Sequence, residues 1–336
     1  MIFPLAMKPK SMYIIHRIIA CKPRIIHPSN LIHPTLSLIR RITPSLREVG
    51  MFKSLFVTYS QGGTTTRVAA NIAAGLRAAD WRVDICNLKE NEPPSVEGYD
   101  LLGIGAPAYY FRPPFRVTDY VNSLPALNGL PSIVFNLYGT LPGDAGNIVR
   151  RGLKRKGAQD AGYFKCCGAD YFLGYLKQGY LFSPDHPTSA ELAAAERFGS
   201  EVAQRIARKE FSIAPEDPPP PPIYRLERFL SHRWLAEHVY SRMFQVDADL
   251  CTGCGQCIEN CPVDNLTEGE KGRPKWGRDC LMCLYCEMEC PEDAITSPVS
   301  LPLFLPFMVY NVKHAASNAA IDHVMVKHSQ GRTLRI

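Results

Sequence analysis

Eight cysteines in two short runs restrict this chain more than any other feature. Cys251, Cys254, Cys257 and Cys261 stand in CTGCGQCIENCP, and Cys280, Cys283, Cys286 and Cys290 stand in CLMCLYCEMECP, so the C-x2-C-x2-C-x3-C-P spacing occurs twice. Three thiolates two residues apart can wrap three corners of a metal–sulfur cube. The fourth, turned away by Pro262 or Pro291, serves the other cube. The spacing therefore assigns one [4Fe-4S] cluster to Cys251, Cys254, Cys257 and Cys290, and a second to Cys280, Cys283, Cys286 and Cys261. Gly253 and Gly255 suit a backbone drawn closely around sulfur, with N–H groups free to bond it. A pair of zinc sites is the alternative, because C-x2-C pairs also serve zinc, but a zinc ribbon has no need of two tetrads with proline in register.

Twelve cysteines in 336 residues could instead signal a disulfide-linked secreted protein. No n-region, apolar h-region and cleavage site precede them, and their regular spacing reads as ligation in a reducing compartment, so the cytoplasm is expected. Residues 1–50 carry eight Lys or Arg and the single acid Glu48, whereas the other 286 residues hold 30 basic and 31 acidic groups. A general basic footprint for nucleic acid is thus excluded. No apolar stretch reaches the roughly 18 to 20 residues of a spanning helix. The longest, LPLFLPFMVYNV at 301–312, contains two prolines.

The ordered pattern starts at Met51. Residues 1–50 read as an extension, disordered or the product of a translation start placed too early. A targeting presequence and a membrane-surface arm are the alternatives. From 51 to 210 short apolar runs (SLFVTY, RVDICNL, DLLGIG, SIVFNL, GYFKCC) alternate with amphipathic segments. This predicts an α/β fold with a doubly wound parallel sheet covered on both faces. Its first helix puts Val68, Ile72 and Leu76 on one face. Its last opens at Thr188 with a capping box to Glu191, directs Ala195, Phe198, Val202 and Ile206 to the sheet, and ends near Lys209. EDPPPPP at 216–222 reads as a stiff spacer. Within the 211–244 linker and helix, one continuous helix is expected from 223, with Leu226, Phe229, Leu230 and Trp234 as packing surface between domains. The cysteine-rich unit spans 245–297, a small α+β domain. Residues 298–336 read as a helix and a hairpin turning at Ser329 to Gly331.

Three loops at the carboxyl ends of strands form a second constellation. Ser60, Gln61, Gly62, Gly63, Thr64 and Thr65 bend into a helix start, where hydroxyls and free N–H groups make a phosphate cradle. The loop with Pro107, Tyr109 and Tyr110 and the loop with Asn136, Tyr138, Gly139 and Gly143 lie where a doubly wound sheet of order 2-1-3-4-5 would place them, beside its switch point. No G-x-G-x-x-G opens a helix after a strand, so a nicotinamide-dinucleotide domain is not expected. Cys86, Cys166 and Cys167 sit on apolar strands as small core residues.

The cysteine segment resembles the two-cluster bacterial ferredoxins over some 50 residues. The loop at 60–65 resembles the T/S-x-T-G-x-T phosphate loop of flavodoxins: Ser60, Gly63 and Thr65 match, and Gly62 replaces the middle hydroxyl residue. Residues 52–297 together resemble the flavodoxin-ferredoxin fusion proteins of anaerobic bacteria and archaea. The resemblance implies FMN as a further cofactor, with Tyr109 or Tyr110 stacking on the isoalloxazine and the 136–140 backbone contacting its polar edge. It also implies one-electron transfer through two [4Fe-4S] clusters to or from FMN. A flavin-dependent reductase, its pocket shaped by the aromatic insert at 169–187, and a redox-sensing, partner-binding protein are the alternatives. Residues 245–297 hold eleven acidic against four basic side chains, so a redox partner with a basic docking face is expected.

Overall fold

The computed structural model describes residues 51–211, 214–219 and 221–336. The expectations for residues 1–50 lie outside the described residues. Strands β1 (Lys53–Thr58), β2 (Arg82–Asn87), β3 (Leu101–Pro107), β4 (Pro131–Tyr138) and β5 (Gln159–Cys167) form one parallel sheet in the order β2-β1-β3-β4-β5. It is covered by helices α1 (Thr64–Arg77), α2 (Phe115–Ser123) and α3 (Ala145–Arg155), with α5 (Ser189–Arg208) after an insert. The doubly wound parallel sheet expected from the alternating pattern is found, with the flavodoxin-like order 2-1-3-4-5.

Alternation along β1 separates the two cores: Phe56 joins Ile72, Leu76, Phe135, Phe198 and Val202 on one face, while Leu55 and Val57 join Ile104, Val121, Val149 and Leu153 on the other. Both faces being buried accounts for the near-continuous apolar runs. Gly103 and Gly105 give β3 room for its neighbours' rings, because a Cβ would lie 2.4 Å from a Phe56 ring carbon at the first and 2.0 Å from Phe135 at the second. Thr188 caps α5 through Glu191, whose backbone N–H donates to Thr188 Oγ1 at 3.2 Å.

The insert holds α4 (Leu173–Leu176) and β6 (Tyr180–Phe182). After α5 the chain does not run free as a spacer. Asp217 is buried against the parallel-sheet domain, accepting from the Tyr163 hydroxyl at 2.6 Å and pairing with Lys165, while the Asn147 amide bonds both its N–H and its C=O at 3.0 Å. The helix expected from 223 is broken into α6 (Pro222–Leu230) and α7 (Arg233–His238), because His232 caps a new helix by accepting from Trp234 N. The expected stripe is also corrected: Leu226, Phe229 and Trp234 are exposed, and Tyr224 and Ala236 are the residues that turn inward.

The cysteine unit contains β7 (Gln245–Val246), α8 (Gln256–Glu259), β8 (Leu266–Glu268), β9 (Pro274–Trp276), α9 (Tyr285–Met288) and β10 (Ile295–Thr296); β7 pairs with β10 and β8 with β9. Its halves repeat in backbone as well as in sequence. Gly253, Gly255 and Asp264 have positive φ, and so do Met282, Leu284 and Asp293, each 29 positions later. In the second half the left-handed turns are held by bulky residues, with Met282 and Leu284 buried. The tail forms α10 (Leu305–Ala316), β11 (His323–Ser329) and β12 (Arg332–Arg335), and β11 pairs with both β12 and β6 in a second, three-stranded sheet. The terminal hairpin therefore folds back onto the aromatic insert.

Candidate flavin and iron-sulfur sites

A cavity of about 530 Å³ opens at the carboxyl end of the parallel sheet. Its wall includes Ser60, Gln61, Gly62, Thr64 and Thr65 from the loop before α1, Pro107, Tyr109 and Tyr110 after β3, and Tyr138 and Gly139 after β4. The three loops read from the sequence thus meet around one space. Three of the named residues do not line it, among them Gly143, which packs against Phe111. Gly63 is the N-cap of α1 with φ +84°, and Asn136 is buried within β4.

The cradle at the start of α1 suits a phosphate. First-turn N–H groups have no intrahelical partner and carry the positive end of the helix dipole. Ser60 Oγ accepts from Thr66 N at 3.3 Å, which fixes the loop, and a Cβ on Gly62 would meet nothing within 4 Å. Tyr109 donates to Gln61 Oε1 at 2.6 Å and so ties the phosphate loop to the second loop. Burial pushes the Tyr109 and Tyr110 phenols up, which keeps them protonated donors. Aromatic walls, a helix N-terminus and polar backbone at one strand edge fit FMN.

The structure also gathers the cysteines into two sets. Cys251, Cys254, Cys257 and Cys290 surround one small hollow; Cys261, Cys280, Cys283 and Cys286 surround the other. Each set combines three cysteines of one run with the last of the other. Backbone N–H groups of Asn265, Met282 and Ala294 donate to the sulfurs of Cys261, Cys280 and Cys290 at 3.3, 3.4 and 3.3 Å, bonds that stabilise ligating sulfur. Burial pushes the thiols of Cys257 and Cys283 up to about 11 and that of Cys280 up to about 12. Thiolates here need the positive charge of a bound metal centre, and the donor set fits iron-sulfur cubes.

Two features join the halves. Cys283, with Met282 and Tyr285, lines the large cavity as well as its own hollow, and Tyr110 donates to Met282 O at 2.9 Å. Lys177, just past α4, pairs with the buried carboxylate of Glu287, which also accepts from Ser297 N at 2.9 Å. The sequence reading missed the remaining walls: Asp170, Phe172 and Tyr175 of the insert were only loosely indicated, and Glu227, Met308, Asn311, His328, Gly331 and Thr333 not at all. Asn311 alone carried a signal, as a polar residue in the apolar run PFMVYNV.

Family comparison agrees with this division. A flavodoxin domain model matches residues 55–172 and a 4Fe-4S binding domain model matches residues 244–267. The chain is 37% identical over 54 residues to a ferredoxin of Methanothermococcus thermolithotrophicus, covering 90% of that protein and 15% of this one. It is 42% identical over 55 residues to Ferredoxin-1 of Caulobacter vibrioides, spanning 49% of that relative and 16% of this chain. An archaeal flavodoxin structure aligns with a TM-score of 0.37 and 17% identity, over 46% of this chain and 99% of that one. No helix among the described residues is long and apolar enough to cross a membrane. With a flavodoxin domain leading into a 4Fe-4S ferredoxin domain, the chain belongs to the flavodoxin-ferredoxin fusions.

Proposed function

We propose that this protein is an electron carrier that passes single electrons between a redox partner and FMN by way of two [4Fe-4S] clusters. When bound, the clusters supply one-electron exchange and the flavin stores one or two electrons. The observation that carries the reading is the double position of Cys283, in the wall of the flavin cavity and in the set with Cys261, Cys280 and Cys286. That set is the inner one.

The other set is the outer one, because Cys254 is exposed. The partner docks on its side, and the acidic surplus of the surrounding segment favours a basic docking face. Around the inner set, Tyr110 holds the Met282 carbonyl and Lys89 lies 4.9 Å from the centre of the Tyr285 ring, so side chains of the flavodoxin domain fix the cluster loop against the cavity. Leu281, buried in the flavodoxin core, anchors the same loop and excludes water.

A second reading, a flavin-dependent reductase of a small substrate, has its own support. Asp170, Phe172 and Tyr175 bring the insert into the cavity wall. Anaerobically purified protein tests the carrier reading: about eight iron, eight sulfide and one FMN per chain are expected. About two zinc and no flavin would overturn it. Steady turnover of a small substrate with reduced ferredoxin as sole donor would move the conclusion to the reductase.

A further inference from the structure

Two polar side chains outside both cofactor loops meet on the wall of the large cavity. Glu227 comes from α6 and Asn311 from α10, and Asn311 Nδ2 donates to Glu227 Oε2 at 2.9 Å. Each retains one atom that is withdrawn from the surface and has no hydrogen-bond partner among the described residues, Glu227 Oε1 and Asn311 Oδ1. Both residues line the cavity, and Asn311 is only 3% exposed. A buried polar atom left unpaired costs about 1–3 kcal/mol, so the pair is suited to a ligand that completes it.

The bond already present fixes what the pair offers. Asn311 gives its amide N–H to Glu227 and keeps a carbonyl oxygen as acceptor. Burial pushes the Glu227 carboxyl up to about 7; in its protonated form, with Oε2 accepting from Asn311, Oε1 is the oxygen left to carry the proton. That form offers one donor and one acceptor on two hydrogen-bonded residues, in a cavity whose lining also includes Met308 and Tyr175. A flat group with a carbonyl next to an N–H is complementary to both.

We propose that the Glu227–Asn311 pair recognises a neutral amide edge, a carbonyl beside an N–H, inside the cavity. Such an edge occurs on a separate lactam or imide ligand and on the pyrimidine ring of the isoalloxazine. The pair stands on elements outside the flavin-binding domain, which favours the separate ligand. The inference rests on the flavin reading of the cavity, and its test reads the two apart.

The cofactor-loaded protein and its E227A, E227Q and N311L variants are titrated calorimetrically with succinimide and with N-methylsuccinimide, which lacks the N–H. FMN affinity and iron content are measured in parallel, and wild-type iron identifies the folded variants. Succinimide binding that exceeds N-methylsuccinimide binding about tenfold, and that E227A and N311L abolish at unchanged FMN affinity, supports recognition of a separate ligand. A loss of FMN affinity of about tenfold in E227A and N311L, restored in E227Q and without any succinimide heat, supports recognition of the isoalloxazine. Unchanged FMN affinity with no succinimide binding in any protein overturns the proposal. Succinimide binding by protein that takes up no flavin would support the pair's role while overturning the flavin reading.

Discussion

Tyr110 and Met282 lie 172 residues apart in sequence, yet the Tyr110 hydroxyl donates to the Met282 carbonyl at 2.9 Å. One residue belongs to a loop of the flavin cavity, and the other to the turn between two cysteines of the inner set. The bond is a direct polar link between the flavin cavity and the inner cysteine loop. Tyr110→Phe leaves the buried carbonyl without this donor and is expected to cost about 1–2 kcal/mol in urea unfolding. FMN and iron content should be unchanged while electron exchange between flavin and cluster slows in stopped-flow reduction. A variant that matches wild type in both measurements would remove the coupling role assigned to this contact.

The phosphate cradle can be tested without disturbing the core. A side chain at Gly62 would enter open space, so Gly62→Val is expected to fold with full iron but to bind FMN about tenfold more weakly, a loss of ~1.4 kcal/mol. Fluorescence titration of the flavin-stripped protein measures it. Unaltered affinity would place the phosphate elsewhere.

Crossed cysteine sets predict paired losses. Cys254→Ser and Cys290→Ser should each lower iron from about eight to about four per chain and abolish the same paramagnetic signal, while Cys261→Ser and Cys283→Ser abolish the other. If Cys290→Ser instead matched Cys283→Ser, each run would serve its own cube.

Lys177 faces a carboxylate only 4% exposed. Removing the cation in Lys177→Met leaves Glu287 charged and poorly solvated, with an expected cost of about 2 kcal/mol, below that of a fully buried pair because Lys177 is itself partly solvated. Adding Glu287→Gln should recover part of the loss in equilibrium unfolding. A double variant less stable than the single one would contradict this.

Burial raises the carboxyl groups of Asp170 to about 6 and Glu227 to about 7. Between the unfolded values near 4 and these folded ones, the native state holds more protons than the unfolded chain. Stability contributed by the two groups is therefore complete at low pH and lost as pH rises through this window. The urea midpoint of the loaded protein should fall from pH 5 to pH 8, and Glu227→Gln should flatten the fall. A midpoint that climbs with pH would refute the buried-acid assignment.

Features governed by near neighbours could be read from the residues. The cysteine spacing, the Thr188–Glu191 cap and the strand–turn–helix at 60–65 are local, and each appears where its chemistry requires. The inward face of α6 depends on what packs against it. Helical spacing grouped Leu226, Phe229 and Trp234, but Phe111 packs on Tyr224 and Asn311 bonds Glu227, so the helix turns a different side inward. In the same way β11 finds its partner in a three-residue strand of the insert, a pairing that alternation within the tail could not specify.

The terminal hairpin has a further consequence. Asp293, three residues past Cys290, accepts the backbone N–H groups of Gln330 and Gly331, while His328, Gly331 and Thr333 line the flavin cavity. One turn of chain, six residues before Ile336, thus clasps the cluster domain and walls the flavin space together. Unpairing this one turn would therefore open the cofactor chamber and loosen the cluster domain in a single event, so the two cofactor regions share one latch.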